Sequence, residues 1–251
     1  MLATVLSILF LTAPAMAFDH THAAFTKILQ TRTQQKQGQT WVNYTDLKNQ
    51  SRSELQAYLR GLEAFSADEF ALATKPQRLA FLINAYNAFT LEWILIHHPV
   101  KSIKDTGSLF SSPWKKTFPG FKLLGQNFTL DKIEHEWIRG NFTEPRIHFA
   151  VNCASMGCPS LARRAYTGTG LEQELAAAER EFFFNPRHFK LDGKSVSVSS
   201  ILDWYGGDFE KVHGSLGNYL SRKALEFALT KEAIPNLKIS FSDYDWSLNG
   251  K

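Results

Sequence analysis

The chain has only two cysteines, Cys153 and Cys158, five positions apart. That spacing is not Cys-x-x-Cys, so a thioredoxin-like mechanism has no support. His-Glu-x-x-His and paired Cys-x-x-Cys are both missing, so none of the recognised metal-site spacings is present and no metal is expected. There is no Gly-rich phosphate loop, no Gly-x-Ser-x-Gly elbow and no dinucleotide fingerprint, and no cofactor is expected. A basic stripe is lacking too. The net charge of +4 comes from scattered lysines and arginines. That pattern describes a solvated surface and argues against nucleic acid as a partner. Beyond residue 17 no uncharged apolar run is long enough to span a bilayer. No repeat, linker-like segment or composition break divides the chain.

What is present is a large apolar complement. Hydrophobic residues make up 44% of the chain, with 20 phenylalanines, enough for a sizeable core and too much for disorder. Residues 1–17 read as a signal peptide. Leu2 to Leu11 is an apolar run, Pro14 follows, and Ala15-Met16-Ala17 is an Ala-x-Ala cleavage site, although the amino terminus is the only positive charge ahead of the run. The expectation is a periplasmic or secreted protein beginning at Phe18, with residues 18–251 as one domain. Export would place both cysteines in an oxidising compartment.

The elements follow from periodicity. His20 to about Gln37 reads as a helix and Trp41–Tyr44 as a short extended piece. Ser51 or Ser53 can cap a helix through Leu55, Tyr58, Leu59 and Leu62, and Ser66 with Glu69 forms a capping-box pattern. Pro76 opens the strongest helix and Pro99 stops it. This helix is apolar nearly all round and should be central. Asn84 and Asn87 share one of its faces. Buried amides need partners, so the pair either bonds neighbouring backbone or lines a polar cleft. Gly125-Gln126 sits between two hairpin arms. Thr129 caps a helix whose apolar stripe includes the carboxylate of Glu134, with His135 at its edge, and whose end is Gly140. Leu171–Phe184 is an amphipathic helix stopped by Asn185-Pro186. Asp192-Gly193 marks a hairpin. Ser200 with Asp203 caps a short helix that Gly206-Gly207 closes. A helix over about Leu216–Leu229 and a strand over Leu237–Phe241 follow. The fold class is α+β: a single helix-rich domain around a small antiparallel or mixed sheet.

The stretch most suggestive of a site is Arg146 to Pro159. Ile147, Phe149 and Val151 alternate with Arg146, His148, Ala150 and Asn152, the pattern of a strand with one face on a core. It runs into the loop Cys153–Pro159, which Gly157 and Pro159 turn. Two chemistries fit this loop. Cys153 and Cys158 can form a disulfide. Alternatively Cys153 is a thiol nucleophile, with His135 as base and Glu134 or an asparagine orienting the imidazole. His148 is too far along an extended strand, about 16 Å, to serve Cys153. The simplest partner for Glu134 is Arg146, with His148 and Asn84 or Asn87 completing a buried cluster. Asn152 can hold the turn, and Ser155 with the loop amides can offer donors to an anion.

These motifs resemble a known family, domain of unknown function 547. They are Ile83–Ala88, Ile133-Glu134-His135, Arg146–Ser155 with Gly157-Cys158-Pro159, Ala165-Tyr166, Ser199–Ile201 with Trp204-Tyr205 and Asp208-Phe209, and Tyr244–Asn249. The resemblance implies an exported bacterial member and no particular reaction. The site expected is a polar cleft around Asn84, Glu134, His135, His148 and Cys153, with Tyr86, Asn87, Arg146, Asn152, Ser155, Trp204 and Tyr205 as further binding residues. Two functions fit it. One is a thiol-dependent hydrolase or acyl transferase. The other is a non-catalytic binding module stapled by a Cys153–Cys158 disulfide. The partner expected is an unidentified small molecule or peptide.

Overall fold

The computed structural model describes residues 18–108 and 111–251. The leader read over residues 1–17 lies outside the described residues. Helix α1 (Ala23–Arg32) leads into the hairpin β1 (Thr33–Lys36) and β2 (Gln39–Val42). The long first helix expected to reach Gln37 is therefore cut short. Thr33 takes extended backbone and its hydroxyl closes the helix on the Leu29 carbonyl at 2.6 Å. Gln37 and Gly38, at φ 53° and 73°, then form a two-residue turn with Lys36 opposite Gln39. Two left-handed residues in succession suit a tight hairpin and not a helix.

Helices α2 (Tyr44–Gln50), α3 (Arg52–Ala64) and α4 (Ala67–Leu72) precede the central helix α5 (Lys75–His97). Thr74 and Gln77 cap α5 reciprocally, and Pro76 lies in its first turn. Every residue from Leu79 to Leu95 is buried. By length and composition α5 could cross a bilayer, but 94% of its most apolar window is packed inside the protein, as in a core helix. Its acidic residue Glu92 is 1% exposed and is satisfied by Arg52 at 2.7 Å and by Gln56 at 3.1 Å. Phe89 packs among Phe118, Phe121 and Phe128 with ring centroids 4.6–5.6 Å away.

The two asparagines of α5 bond to backbone, the simpler of the two expectations. Asn84 donates to the Tyr166 carbonyl at 2.7 Å and accepts from its amide at 2.9 Å. Asn87 does the same across Ala150 O (2.9 Å) and Asn152 N (2.8 Å). Each amide thus pins an irregular segment to the central helix. Asn87→Ala should cost about 2–3 kcal/mol, because two buried backbone groups lose their partner. Urea denaturation would check this as a lower midpoint at unchanged slope.

A π-helical segment, Lys132–Ile138, packs on α5. The expected strand over Arg146–Asn152 is instead a 3₁₀ turn, Pro145–Phe149. Pro145 and the Glu144 carboxylate, which accepts from the Arg146 amide at 3.1 Å, start the turn. The Ala150 and Val151 amides both close back on the Ile147 carbonyl. Residues 147–152 are all buried, so alternation there carried no directional information.

Helix α6 (Leu171–Phe184) has the expected bounds. Strands β3 (Phe189–Asp192) and β4 (Ser195–Ser199) follow, then α7 (Ile201–Trp204), α8 (Gly206–His213), α9 (Leu216–Glu226) and β5 (Lys238–Ser242). Gly206-Gly207 opens α8, whereas it was expected only to end the helix before it. In the three-stranded sheet β4 lies between β3, antiparallel, and β5, parallel. The fold is α+β and helix-rich. Its main core gathers around α5, and the mixed sheet carries a second apolar cluster that includes Phe149, Phe182, Phe183, Phe209 and Tyr219.

Candidate functional site

The π-helical segment sets up the site. Its register shows in the bond from the Arg139 amide to the Glu134 carbonyl, 2.9 Å and five residues back. Such segments are frequent at functional sites. Asp131, Glu134 and His135 all face one pocket of about 310 Å³. Glu134 is buried and lines the pocket together with Tyr86 and Tyr205. Burial, followed by the Glu134 charge, holds both phenols well above their ordinary pKa.

His148 comes from the 3₁₀ turn and is 2% exposed. Its Nε2 donates to Asp208 Oδ2 at 2.9 Å, and Tyr205 stacks on the ring at 3.9 Å. Asp208 is held in turn by Arg139, with Nε–Oδ2 2.6 Å and Nη2–Oδ1 3.1 Å. Burial lowers the His148 pKa against the opposing pull of Asp208. The neutral ring therefore keeps its lone pair on Nδ1, which is buried and has no partner among the described residues. The His148 hydrogen bond, with Arg139 beside it, holds the Asp208 carboxyl far below the usual carboxylate range.

Cys153 and Cys158 are joined in a disulfide, with their Cα atoms 6.4 Å apart, and both line the pocket. The loop between them is tied down from several sides. Asn152 accepts from the Ala154 amide at 2.9 Å and donates to the Pro159 carbonyl at 2.8 Å, the turn-holding role expected of it. A strap over residues 243–251 grips the other side. Met156 N bonds Ser247 O and Gly157 N bonds Asp245 O, each at 2.8 Å. The Tyr244 hydroxyl lies 3.2 Å from Cys153 Sγ and 3.0 Å from Cys158 Sγ. Gly157 is required here, since a Cβ would come within 2.9 Å of the Tyr244 ring. The strap itself is anchored by Asn249, which accepts from Tyr44 Oη at 2.7 Å and donates to Asn152 Oδ1 at 3.2 Å. The remaining wall is aromatic. Trp204 and Trp246 stack at 5.8 Å, Tyr244 packs 4.4 Å from Trp246, and Trp114 meets Trp246 edge-on at 5.7 Å.

The structure thus gathers Tyr86, Glu134, His135, His148, Cys153, Cys158, Trp204 and Tyr205 around one pocket. Asn84, Asn87, Asn152 and Ser155 stand behind it as buried scaffold. Ser155 pairs by backbone with Leu248 and offers no lining surface. Arg146 does not pair with Glu134. It forks onto Glu144 and Glu172, each at 2.7 Å, because the 3₁₀ turn points it away from the helix that carries Glu134. The pairing of His135 with Cys153 is also replaced. Arg139 donates to His135 Nδ1 at 2.7 Å, and His135 Nε2 lies 3.7 Å from Asp131. The turn, in contrast, brings His148 to the same pocket as Cys153, which an extended strand would have prevented. Asp131, Trp114, Asp208, Tyr244 and Trp246 were not singled out as site residues from the sequence. Asp208 and the Tyr244–Asn249 segment did stand among the quoted motifs, which was the one available signal for them.

The family model for "Protein of unknown function, DUF547" matches residues 70–183. No curated protein and no solved structure matches the chain. The matched segment supplies α5, the π-helical segment, the disulfide loop and nearly all of α6, while Tyr205, Asp208 and Trp246 come from beyond it. Over residues 70–183, which carry Ile83–Ala88, Ile133–His135, Arg146–Pro159 and Ala165-Tyr166, the chain resembles the family of domain of unknown function 547.

Proposed function

We propose that the protein is an exported ligand-binding module whose pocket takes a small molecule, and that Cys153–Cys158 staples the pocket wall. One observation carries this reading: both sulfurs are consumed in a disulfide that lines the pocket, and among the described residues no histidine hydrogen-bonds either of them. A thiol-dependent hydrolase or acyl transferase would need a free thiolate beside a base. The wall is instead held in one shape by Asn152, Tyr244 and the strap, as suits a preformed binding site. Persistence of the disulfide fits a location outside the cytosol, with residues 1–17 as the leader that directs it there.

Mass spectrometry and thiol labelling of protein purified without reductant test this together. The expected species begins at Phe18 and has no reactive thiol until it is reduced. Cys153→Ser and Cys158→Ser should then lose the same stability, about 2–3 kcal/mol or less for so short a loop. Selective labelling of Cys153 in untreated protein, unchanged in Cys158→Ser, would replace the binding reading with the thiol enzyme.

A further inference from the structure

Building on that reading, we propose that the pocket's ligand is a small organic ammonium ion carrying at least one N–H. The charge of the lining argues for it first. Among the described residues Asp131 and Glu134 are the lining carboxylates and no lysine or arginine lines the pocket, although the chain as a whole carries +4. Arg139 lies close by, but its charge is matched by Asp208 at 2.6 Å. A cation entering the pocket therefore meets two carboxylates that, among the described residues, no lysine or arginine ion-pairs.

The walls argue for it independently. Trp204, Tyr244, Trp246 and Trp114 form one contiguous cluster of rings. Aromatic faces carry the negative end of the ring quadrupole and attract ammonium groups within about 6 Å. The protein already uses this attraction, since Lys104 Nζ sits 3.9 Å over the Trp246 ring from outside the pocket lining.

The third observation separates an N–H donor from a quaternary cation. His148 Nδ1 is a buried acceptor without a partner among the described residues, on a ring whose other nitrogen is committed to Asp208. Buried acceptors left unpaired are costly, so a ligand that donates there removes a standing penalty. A tetramethylated ammonium has no proton to give. A protonated primary or secondary amine satisfies Nδ1 and Glu134 while its alkyl part lies against the rings.

The test is a titration of the full chain with n-butylammonium, tetramethylammonium, n-butanol and butyrate at constant ionic strength. Tryptophan fluorescence follows the wall, and the His148 ring is followed by NMR. n-Butylammonium should bind at least about tenfold more tightly than tetramethylammonium or n-butanol and shift the His148 resonances. Glu134→Gln should weaken it about tenfold or more. Asp131→Asn, at a side chain 32% exposed, is a second variant that tests the same charge without disturbing the buried floor. Butanol or butyrate binding as tightly as n-butylammonium overturns the ammonium inference and leaves the binding-module reading standing. The same holds for affinity unchanged in folded Glu134→Gln and Asp131→Asn. If none of the four probes binds, the inference fails, and the free-thiol measurement above then decides separately whether the binding-module reading survives.

Discussion

Taking the protein from pH 7 to pH 4 should remove about 6 kcal/mol of folding stability, enough to unfold many domains. The groups responsible are buried histidines. His22 and His188 are 1% and 2% exposed, and burial lowers each from 6.5 to about 4. His22 keeps a 2.7 Å bond to Tyr58 through Nδ1, while its Nε2 and that of His188 have no partner among the described residues. Above pH 6.5 neither state takes an extra proton. Below it the unfolded chain binds protons that the folded chain refuses, and stability falls until the folded rings titrate near pH 4. Each ring contributes about 3 kcal/mol at that limit, since one pKa unit corresponds to about 1.4 kcal/mol. His148 is shifted in the same direction and adds to the decline. Asp208 acts in a lower window. Its pKa is depressed from 3.8, so its contribution is complete above that value and is lost only as the pH falls further. Urea midpoints at pH 7, 6, 5 and 4 measure the slope. A flat profile across that range would show that the rings protonate without unfolding the chain.

Asn249→Ala should cost roughly 2–4 kcal/mol. The side chain is completely buried and answers two other buried groups, the Tyr44 hydroxyl and Asn152 Oδ1. Removing it strands the Tyr44 hydroxyl, at about 1–3 kcal/mol, and takes one of two donors from Asn152 Oδ1, which keeps the Ala154 amide, at about 1 kcal/mol more. Asn152 is the residue that shapes the disulfide loop, so the loss reaches the pocket wall as well. The adjoining backbone pairs, Val42 N to Asn249 O and Asn249 N to Ala154 O, would then rest on a loosened strap. Thermal and urea unfolding would quantify the effect, with the Trp246 environment read by fluorescence. A loss below 1 kcal/mol would mean that water or backbone adjustment replaces the amide.

The helices were legible where local chemistry agreed with the apolar pattern. In α5 a capping box, a first-turn proline and a terminal proline fix both ends, and in α6 Asn185-Pro186 stops an amphipathic run. The failures lie where the residues are buried on all sides or local turns dominate. Ile147, Phe149 and Val151 alternate, yet their polar neighbours His148 and Asn152 are equally buried, so period two did not mean strand. Glu134 could be identified as a carboxylate within an apolar stripe, but the extra residue of the π-helical segment, which brings Asp131, Glu134 and His135 to one pocket, leaves no trace in spacing. Arg146 was assigned the wrong carboxylate because Glu144 and Glu172 become its neighbours only through the turn and through α6. Tyr244 and Trp246 reach the pocket, and Asp208 reaches the His148 ring, from elements far along the chain, and nothing in their immediate sequence context shows what they face.

The strap also dictates when the pocket can exist. One wall is Tyr86 on the central helix and another is Tyr244 and Trp246, which arrive only after α9 and β5 have been synthesised. On a ribosome, residues 75–183 can collapse around α5 long before that wall appears. The entropy of closing so long a loop must be met before the last contacts form. A ligand that requires Trp246 therefore has no affinity for any shorter intermediate, and its binding stabilises only the finished molecule. On the binding-module reading, occupancy of the pocket would report that synthesis and closure of this wall are complete. On the same reading, added ligand should slow unfolding of the folded protein without accelerating the early steps of its folding.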